Sequence, residues 1–101
     1  MTHRIRLGPP WDTTTADGRT RHARKFGRPR SLSPAETVWL VCESVPGPAV
    51  VSVNGEAVGS VGEAGGPFTA DVTALLNSRN EVVIDTVSAG PLGEVALEIR
   101  G

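Results

Sequence analysis

His22 is the side chain of this sequence that could serve as a conventional base. The other histidine, His3, lies in a terminus that is expected to fray. A hydrolytic site needs a nucleophile, a base and an orienting acid that converge in space. The sequence contains no GxSxG, HExxH, phosphate-loop or dinucleotide-binding motif. It therefore predicts no catalytic residues and a protein that is not an enzyme.

Metal and cofactor sites have equally little support. The single cysteine, Cys42, lies in the apolar stretch VWLVC, so it is expected to fill the core and cannot form an intrachain disulfide. Calcium needs several oxygen ligands from one short loop, whereas Asp12, Asp17 and Glu63 are scattered. We expect no metal and no cofactor, although a structural calcium at the turn between Asp12 and Asp17 stays open.

A ligand-binding set is predicted from His22, Arg24 and Trp39. An exposed Trp ring can cover the apolar side of a ligand, and Arg and His can bond its polar groups. If Trp39 is exposed beside the other two, the three form a shallow binding platform. If the N-terminal strand or the loop 27–36 covers it, Trp39 is structural instead.

The same three residues have a structural interpretation. Arg24 and His22 share a strand face with Phe26 and would need partners if buried, which Glu43 or Asp85 could supply. Trp11, which follows two prolines, is expected to pack against the core because large aromatics in small domains usually do so.

Charge is distributed unevenly along the chain. Residues 1–30 hold eight Arg or Lys and two Asp, a charge of +6, and residues 31–101 hold two Arg and nine Asp or Glu, a charge of −7. A basic segment can contact the phosphates of nucleic acids. The favoured interpretation is that basic and acidic strands lie side by side in an antiparallel sheet, so nucleic acid is an unlikely partner.

Strand patterns dominate the sequence. β-Branched and apolar residues recur with period two, punctuated by Gly and Pro. The segment TVWLVCESV, residues 37–45, is apolar on both faces and predicts a central strand. Asn54-Gly55 is typical of a two-residue hairpin turn. The seven predicted strands are residues 3–7, 19–26, 37–45 and 49–53, the stretch after Asn54-Gly55, 80–87 and 94–100.

The segments between these strands are predicted as turns and loops. Residues 12–18 form a polar turn region, 27–36 a loop, and GSVGEAGG, residues 59–66, a flexible exposed segment. Asp71 is expected to cap a short helical turn that ends near Asn77. The whole chain, 1–101, then predicts one all-β domain, an antiparallel β-sandwich.

No apolar run reaches the roughly 18 residues that a membrane span needs. The N-terminal residues carry arginines but no apolar stretch after them, so no secretory signal is predicted. We expect a cytoplasmic protein with no membrane partner.

The run from Val38 to Val87 resembles the galactose-binding-like jelly-roll domain at the N-terminus of family 2 glycoside hydrolases, such as β-galactosidases and β-glucuronidases. The family pattern has an apolar strand, a strand ending in Asn-Gly, a Gly, a Pro-Phe, an Asp-hydrophobic-Thr turn and an Asn before the next strand. The matching residues are Leu40, Cys42, Val45, Val51, Val53, Asn54, Gly55, Gly59, Pro67, Phe68, Asp71, Val72, Thr73, Asn80, Val82 and Ile84.

Two flanking segments extend this resemblance. RHARKFGRP, residues 21–29, is similar to the family's Tyr-Arg-Arg-x-Phe strand, with His22 where the family usually has an aromatic residue. RLGPPW, residues 6–11, looks like the opening that leads to the family's N-terminal Trp. The resemblance implies a jelly-roll sandwich, but the family's catalytic carboxylates lie in a separate barrel domain that this chain lacks.

Two functions are carried forward from the sequence. One is a non-catalytic carbohydrate-binding-like module, which rests on the resemblance. The alternative is a protein-interaction or scaffolding module that uses a sandwich edge or the GSVGEAGG loop. A nucleic-acid binder ranks third, and the sequence does not reveal the oligomeric state.

Overall fold

Two antiparallel sheets pack face to face in the computed structural model, which describes residues 2–88 and 90–101. One sheet has the strand order β1-β9-β4-β7 and the other β2-β3-β8-β5-β6. The strands are β1 (His3–Arg6), β2 (Asp12–Ala16), β3 (Arg19–Gly27), β4 (Thr37–Val45), β5 (Ala49–Val53), β6 (Glu56–Val61), β7 (Gly66–Asp71), β8 (Arg79–Thr86) and β9 (Val95–Arg100). The predicted all-β sandwich is confirmed, with nine strands rather than about seven.

Alternation along the strands builds the core between the sheets. On β4, Val38, Leu40 and Cys42 are buried, and β4 lies between β9 and β7 as its apolar character predicts. On β8, Val82 and Ile84 are buried with the same period of two. The largest fully buried side chains are Leu40, Ile84, Leu97, Val38, Val45, Val51, Val53, Val72, Val82, Thr86 and Cys42.

The prediction of a polar turn region over residues 12–18 is wrong for its first five residues. Residues 12–16 form β2 and pair with β3, with Thr13 opposite His22. The β-branched threonines suit a strand, and the turn itself needs only Asp17 and Gly18. Both adopt positive φ, 53° and 75°, as a two-residue hairpin turn requires.

The predicted flexible segment 59–66 is also shorter than expected. Gly59 and Val61 belong to β6, and Val61 is buried. The side chain of Phe68 on β7 lies against Gly59, where a Cβ would come within 2.6 Å of the phenyl ring. A glycine at position 59 therefore allows β6 to pack closely on the aromatic ring. Within the segment 59–66, the exposed turn between β6 and β7 is limited to residues 62–64.

The predicted turns at Asn54 and Asp71 are confirmed. Asn54 and Gly55 have φ of 53° and 82° and join β5 to β6. Asp71 Oδ1 accepts hydrogen bonds from the backbone N–H and the hydroxyl of Thr73, at 3.0 and 2.6 Å. A 3-10 turn follows over Thr73–Leu75, which ends two residues earlier than predicted. No described residue belongs to a helix long enough to cross a membrane.

The uneven charge distribution is explained by strand pairing. Basic β1 lies beside β9, where Arg4 contacts Glu98 at 3.2 Å. Basic β3 lies beside β8, where Arg19 contacts Asp85 at 2.8 Å. The pairing of β3 with β8 confirms the expectation that a basic strand lies beside an acidic one, and both pairs place opposite charges next to each other across neighbouring strands.

Candidate functional site

A cleft of about 370 Å³ opens beside Trp11 and is the candidate site of the molecule. We call it the Trp11 cleft. It is lined by residues 6–9, Trp11, Thr13, His22 and residues 92–95. These residues come from the end of β1 and the segment after it, from β2 and β3, and from the segment that leads into β9. Both sheets therefore contribute to the cleft, and its volume falls in the usual range for small-ligand sites, roughly 300–1,000 Å³.

Trp11 forms an apolar wall of the cleft. It is partly buried and packs against the hydrophobic core, as the sequence predicts. Its indole Nε1 donates a hydrogen bond to the carbonyl oxygen of Leu7 at 3.1 Å. Because that bond occupies the only polar group of the side chain, the ring offers a ligand its apolar surface.

His22 is the buried polar residue of the cleft, with 8% of its surface exposed. Its Nδ1 lies 3.0 Å from the hydroxyl of Thr13 on the neighbouring strand. Its Nε2 is buried and has no hydrogen-bond partner among the described residues. Burial lowers the pKa of His22 below its usual 6.5, so the imidazole is neutral at pH 7.

Arg24 lies behind the cleft, two residues along the same strand. Its Nε donates a hydrogen bond to the carbonyl oxygen of Gly8 at 2.8 Å, and Nη1 donates to the carbonyl oxygen of Lys25. Neither suggested carboxylate partner, Glu43 or Asp85, contacts Arg24, and Asp85 pairs with Arg19 instead. Arg24 thus positions Gly8, which lines the cleft, through a backbone contact.

Trp39 is not part of this site. Its neighbours Val38 and Leu40 face the core, so Trp39 lies on the outer face of the four-stranded sheet. The guanidinium of Arg100 lies 4.3 Å from the ring centroid, and Nε1 donates to the hydroxyl of Thr37 at 3.1 Å.

The predicted platform of His22, Arg24 and Trp39 is therefore not assembled in the structure. His22 and Arg24 belong to β3 in the five-stranded sheet, and Trp39 belongs to β4 in the other sheet. Sequence reasoning missed Thr13 as a site residue, because it read residues 12–18 as a turn. Recognising β2 as a strand of alternating threonines would have placed Thr13 opposite His22.

The rim of the cleft carries one charge of each sign. Arg6 Nε and Arg4 Nη1 each lie 3.7 Å from a carboxylate oxygen of Glu94. Arg6 and Glu94 line the cleft, and Arg4 does not. With His22 neutral, the charges of the described lining residues cancel. No group of three or more His, Cys, Asp or Glu that could hold a metal occurs within residues 2–88 and 90–101.

Solved glycosidases contain a domain of similar fold. An FMN-binding β-glucuronidase from Facaelibacterium prausnitzii L2-6 matches 98% of this chain with a TM-score of 0.76 and 20% identity. A Bifidobacterium dentium β-glucuronidase matches 84% with a TM-score of 0.76 and 18% identity. A protein from Bacteroides fragilis described as a putative β-galactosidase matches 83% with a TM-score of 0.65 and 21% identity.

These likenesses confirm at the level of the fold the resemblance to the sandwich domain of glycoside hydrolases. The matched segments make up 22%, 20% and 15% of the three enzymes, so this chain spans about a fifth of their length or less. No protein-family model matches the sequence, and no curated protein matches it.

Proposed function

We propose that this chain is a non-catalytic carbohydrate-binding module and that the Trp11 cleft takes one glycosyl group. The observation that carries the proposal is that His22, whose buried Nε2 has no hydrogen-bond partner among the described residues, lines a cleft walled by Trp11. Buried polar atoms in native proteins almost always have partners, because an unsatisfied one costs about 1–3 kcal/mol. A ligand hydroxyl is a group that would satisfy this nitrogen.

The chemistry of the cleft suits a sugar. The ring of Trp11 can cover the C–H face of a pyranose, and the Thr13 hydroxyl and His22 can bond its hydroxyl groups. The similar domains belong to proteins named β-glucuronidases and a putative β-galactosidase, so glucuronyl and galactosyl groups are the first ligands to test, with the glucosyl group as the uncharged counterpart of the glucuronyl group.

A binding role fits these residues better than catalysis. Glycoside hydrolysis ordinarily uses two carboxyl groups that flank the scissile bond. Among the described lining residues, Glu94 is the only carboxylate, and it contacts two arginines. The small share of the glycosidases that the chain covers supports the same interpretation.

To test the proposal, the ¹⁵N-labelled chain is titrated with methyl glycosides, and binding is monitored through the backbone amide shifts in the NMR spectrum. We expect saturable shifts at residues 6–8, 11–13, 22 and 92–95 with affinities near millimolar. Replacing Thr13 by Val removes one hydroxyl from the cleft and should weaken binding about threefold to tenfold.

Thr15→Val is the matched control for that variant. Thr15 lies on the same face of the same strand and bonds Thr20 across β2 and β3, but it does not line the cleft. The Thr15→Val variant should bind the methyl glycosides with the same affinity as the parent chain. The absence of saturable shifts with every glycoside, or equal losses in the two variants, would argue against the proposal.

A protein-interaction module is the second candidate, and the exposure of Val50 and Val87 favours it. These valines are 42% and 48% exposed. Val50 on β5 pairs with Asp85 on β8, and Val87 follows the end of β8 two residues after Asp85. If the surface around these two valines binds a second copy, sedimentation velocity should show association that Val87→Lys abolishes. A monomer at all concentrations would exclude self-docking through this surface.

A further inference from the structure

We propose that the Trp11 cleft selects an uncharged glycosyl group over a uronic acid. This inference rests on the proposed function and names its ligand class. It concerns the charge of the group that enters the cleft, and it is carried by the hydrogen bonds and ion pairs of the residues around the cleft.

A carboxylate in the cleft would need a cation that is free to bind it. Arg6 is the only Lys or Arg among the described lining residues, and its Nε lies 3.7 Å from Glu94 Oε2. A uronate that approached Arg6 would also approach the Glu94 carboxylate. Attraction and repulsion then largely cancel, and the desolvation of the incoming charge is not offset.

The other basic side chains nearby and the indole N–H are already engaged. Arg24 donates to two backbone carbonyls, and Arg4 is shared between Glu94 and Glu98. Trp11 Nε1 donates to the carbonyl oxygen of Leu7. His22 is held in its neutral form by burial.

The groups that remain are neutral and match a hydroxyl. The pair formed by Thr13 Oγ1 and His22 Nδ1 can be arranged with either atom as donor, which leaves Nε2 as an acceptor or as an N–H donor. A sugar hydroxyl both donates and accepts, so it suits either tautomer of His22. A carboxylate only accepts, so it can use only one of them.

Methyl β-D-glucoside and methyl β-D-glucuronide test this selection because they differ only in a hydroxymethyl and a carboxylate group. Both are titrated by NMR into the full chain at pH 7.5 in 0.15 M salt. We expect the glucoside to bind at least about fivefold more tightly. Equal affinity, or tighter binding of the glucuronide, overturns the inference and leaves the proposed function standing.

Glu94→Gln supplies the complementary test. It removes the carboxylate from Arg6 at constant shape, so the ratio of glucuronide to glucoside affinity should rise about fivefold. Glu98→Gln is the control, since Glu98 pairs with Arg4 and Arg100 and does not line the cleft. An unchanged ratio in Glu94→Gln, or an equal rise in Glu98→Gln, contradicts the inference. The lack of binding by both glycosides contradicts the proposed function itself.

Discussion

Asn80 is predicted to be one of the most stabilising polar side chains of the fold. It is buried and makes four hydrogen bonds at the start of β8. Oδ1 accepts from the backbone N–H of Asn77 at 2.7 Å and from Asn54 Nδ2 at 2.9 Å. Nδ2 donates to the carbonyl oxygens of Asn77 and Phe26, at 2.9 and 3.4 Å. One side chain thus joins the Asn54 hairpin, the segment after the 3-10 turn and the end of β3.

The expected cost of Asn80→Ala follows from these bonds. Three of these hydrogen bonds are 2.7–2.9 Å long, and each contributes about 1 kcal/mol net to the free energy of unfolding. The loss should therefore be about 2–4 kcal/mol, a large part of the roughly 5–15 kcal/mol that stabilises a typical domain. The melting temperature should fall by about 10–20 °C.

Urea unfolding, followed by circular dichroism and tryptophan fluorescence, measures this loss. Asn77→Ala is the matched control, because Asn77 is exposed and contributes only backbone atoms to the network. It should change the free energy of unfolding by no more than about 0.5 kcal/mol. A loss below about 1 kcal/mol for Asn80→Ala, or an equal loss in the control, would refute the reasoning.

Three further predictions concern His22, Gly59 and Cys42. Because burial lowers the pKa of His22, the unfolded chain takes up a proton first, so stability should decrease as pH falls below about 6.5. Urea midpoints between pH 7 and 5 should show this decrease in the parent chain and a smaller one in His22→Phe; equal slopes would contradict it. Gly59→Ala should cost about 1–3 kcal/mol because its Cβ meets the Phe68 ring, whereas Gly27→Ala, which meets nothing within 4 Å, should be near neutral in the same assay. Burial raises the pKa of Cys42 to about 12, so a thiol reagent at pH 8 should label it only at the rate of unfolding, and rapid labelling of the folded chain would argue against this.

Two asparagines belong to the sequence motif and also contact each other in the structure. Asn54 and Asn80 are both part of the motif that resembles the glycoside hydrolase sandwich, yet the motif alone shows only their order along the chain. In the structure, Asn54 Nδ2 donates to Asn80 Oδ1, and Asn54 Oδ1 accepts from the backbone of Glu81. The hairpin turn therefore reverses β5 and also holds the start of β8. No local pattern could reveal that second role, because the two residues are 26 positions apart.

The candidate site was predicted less completely from the sequence than the fold was. His22 was identified from the sequence because the chain has so few titratable residues of its kind, and the structure places it in the cleft. Trp39 was grouped with it on residue type alone. The structure covers Trp39 with Arg100 on the far side of the other sheet, and it places Trp11 and Thr13 at the cleft instead.

The amino-acid sequence determined seven of the nine extended segments, the alternation along them that builds the core and the sharp turn at Asn54-Gly55. These features depend on the alternation of side chains and on local backbone preferences. The tertiary structure alone decided which sheet each strand joins and which residues of the two sheets lie next to each other. Such pairings join residues far apart in the chain, as His22 and residues 92–95 at the cleft illustrate, and their energy comes from packing and hydrogen bonds that exist only once both sheets have formed.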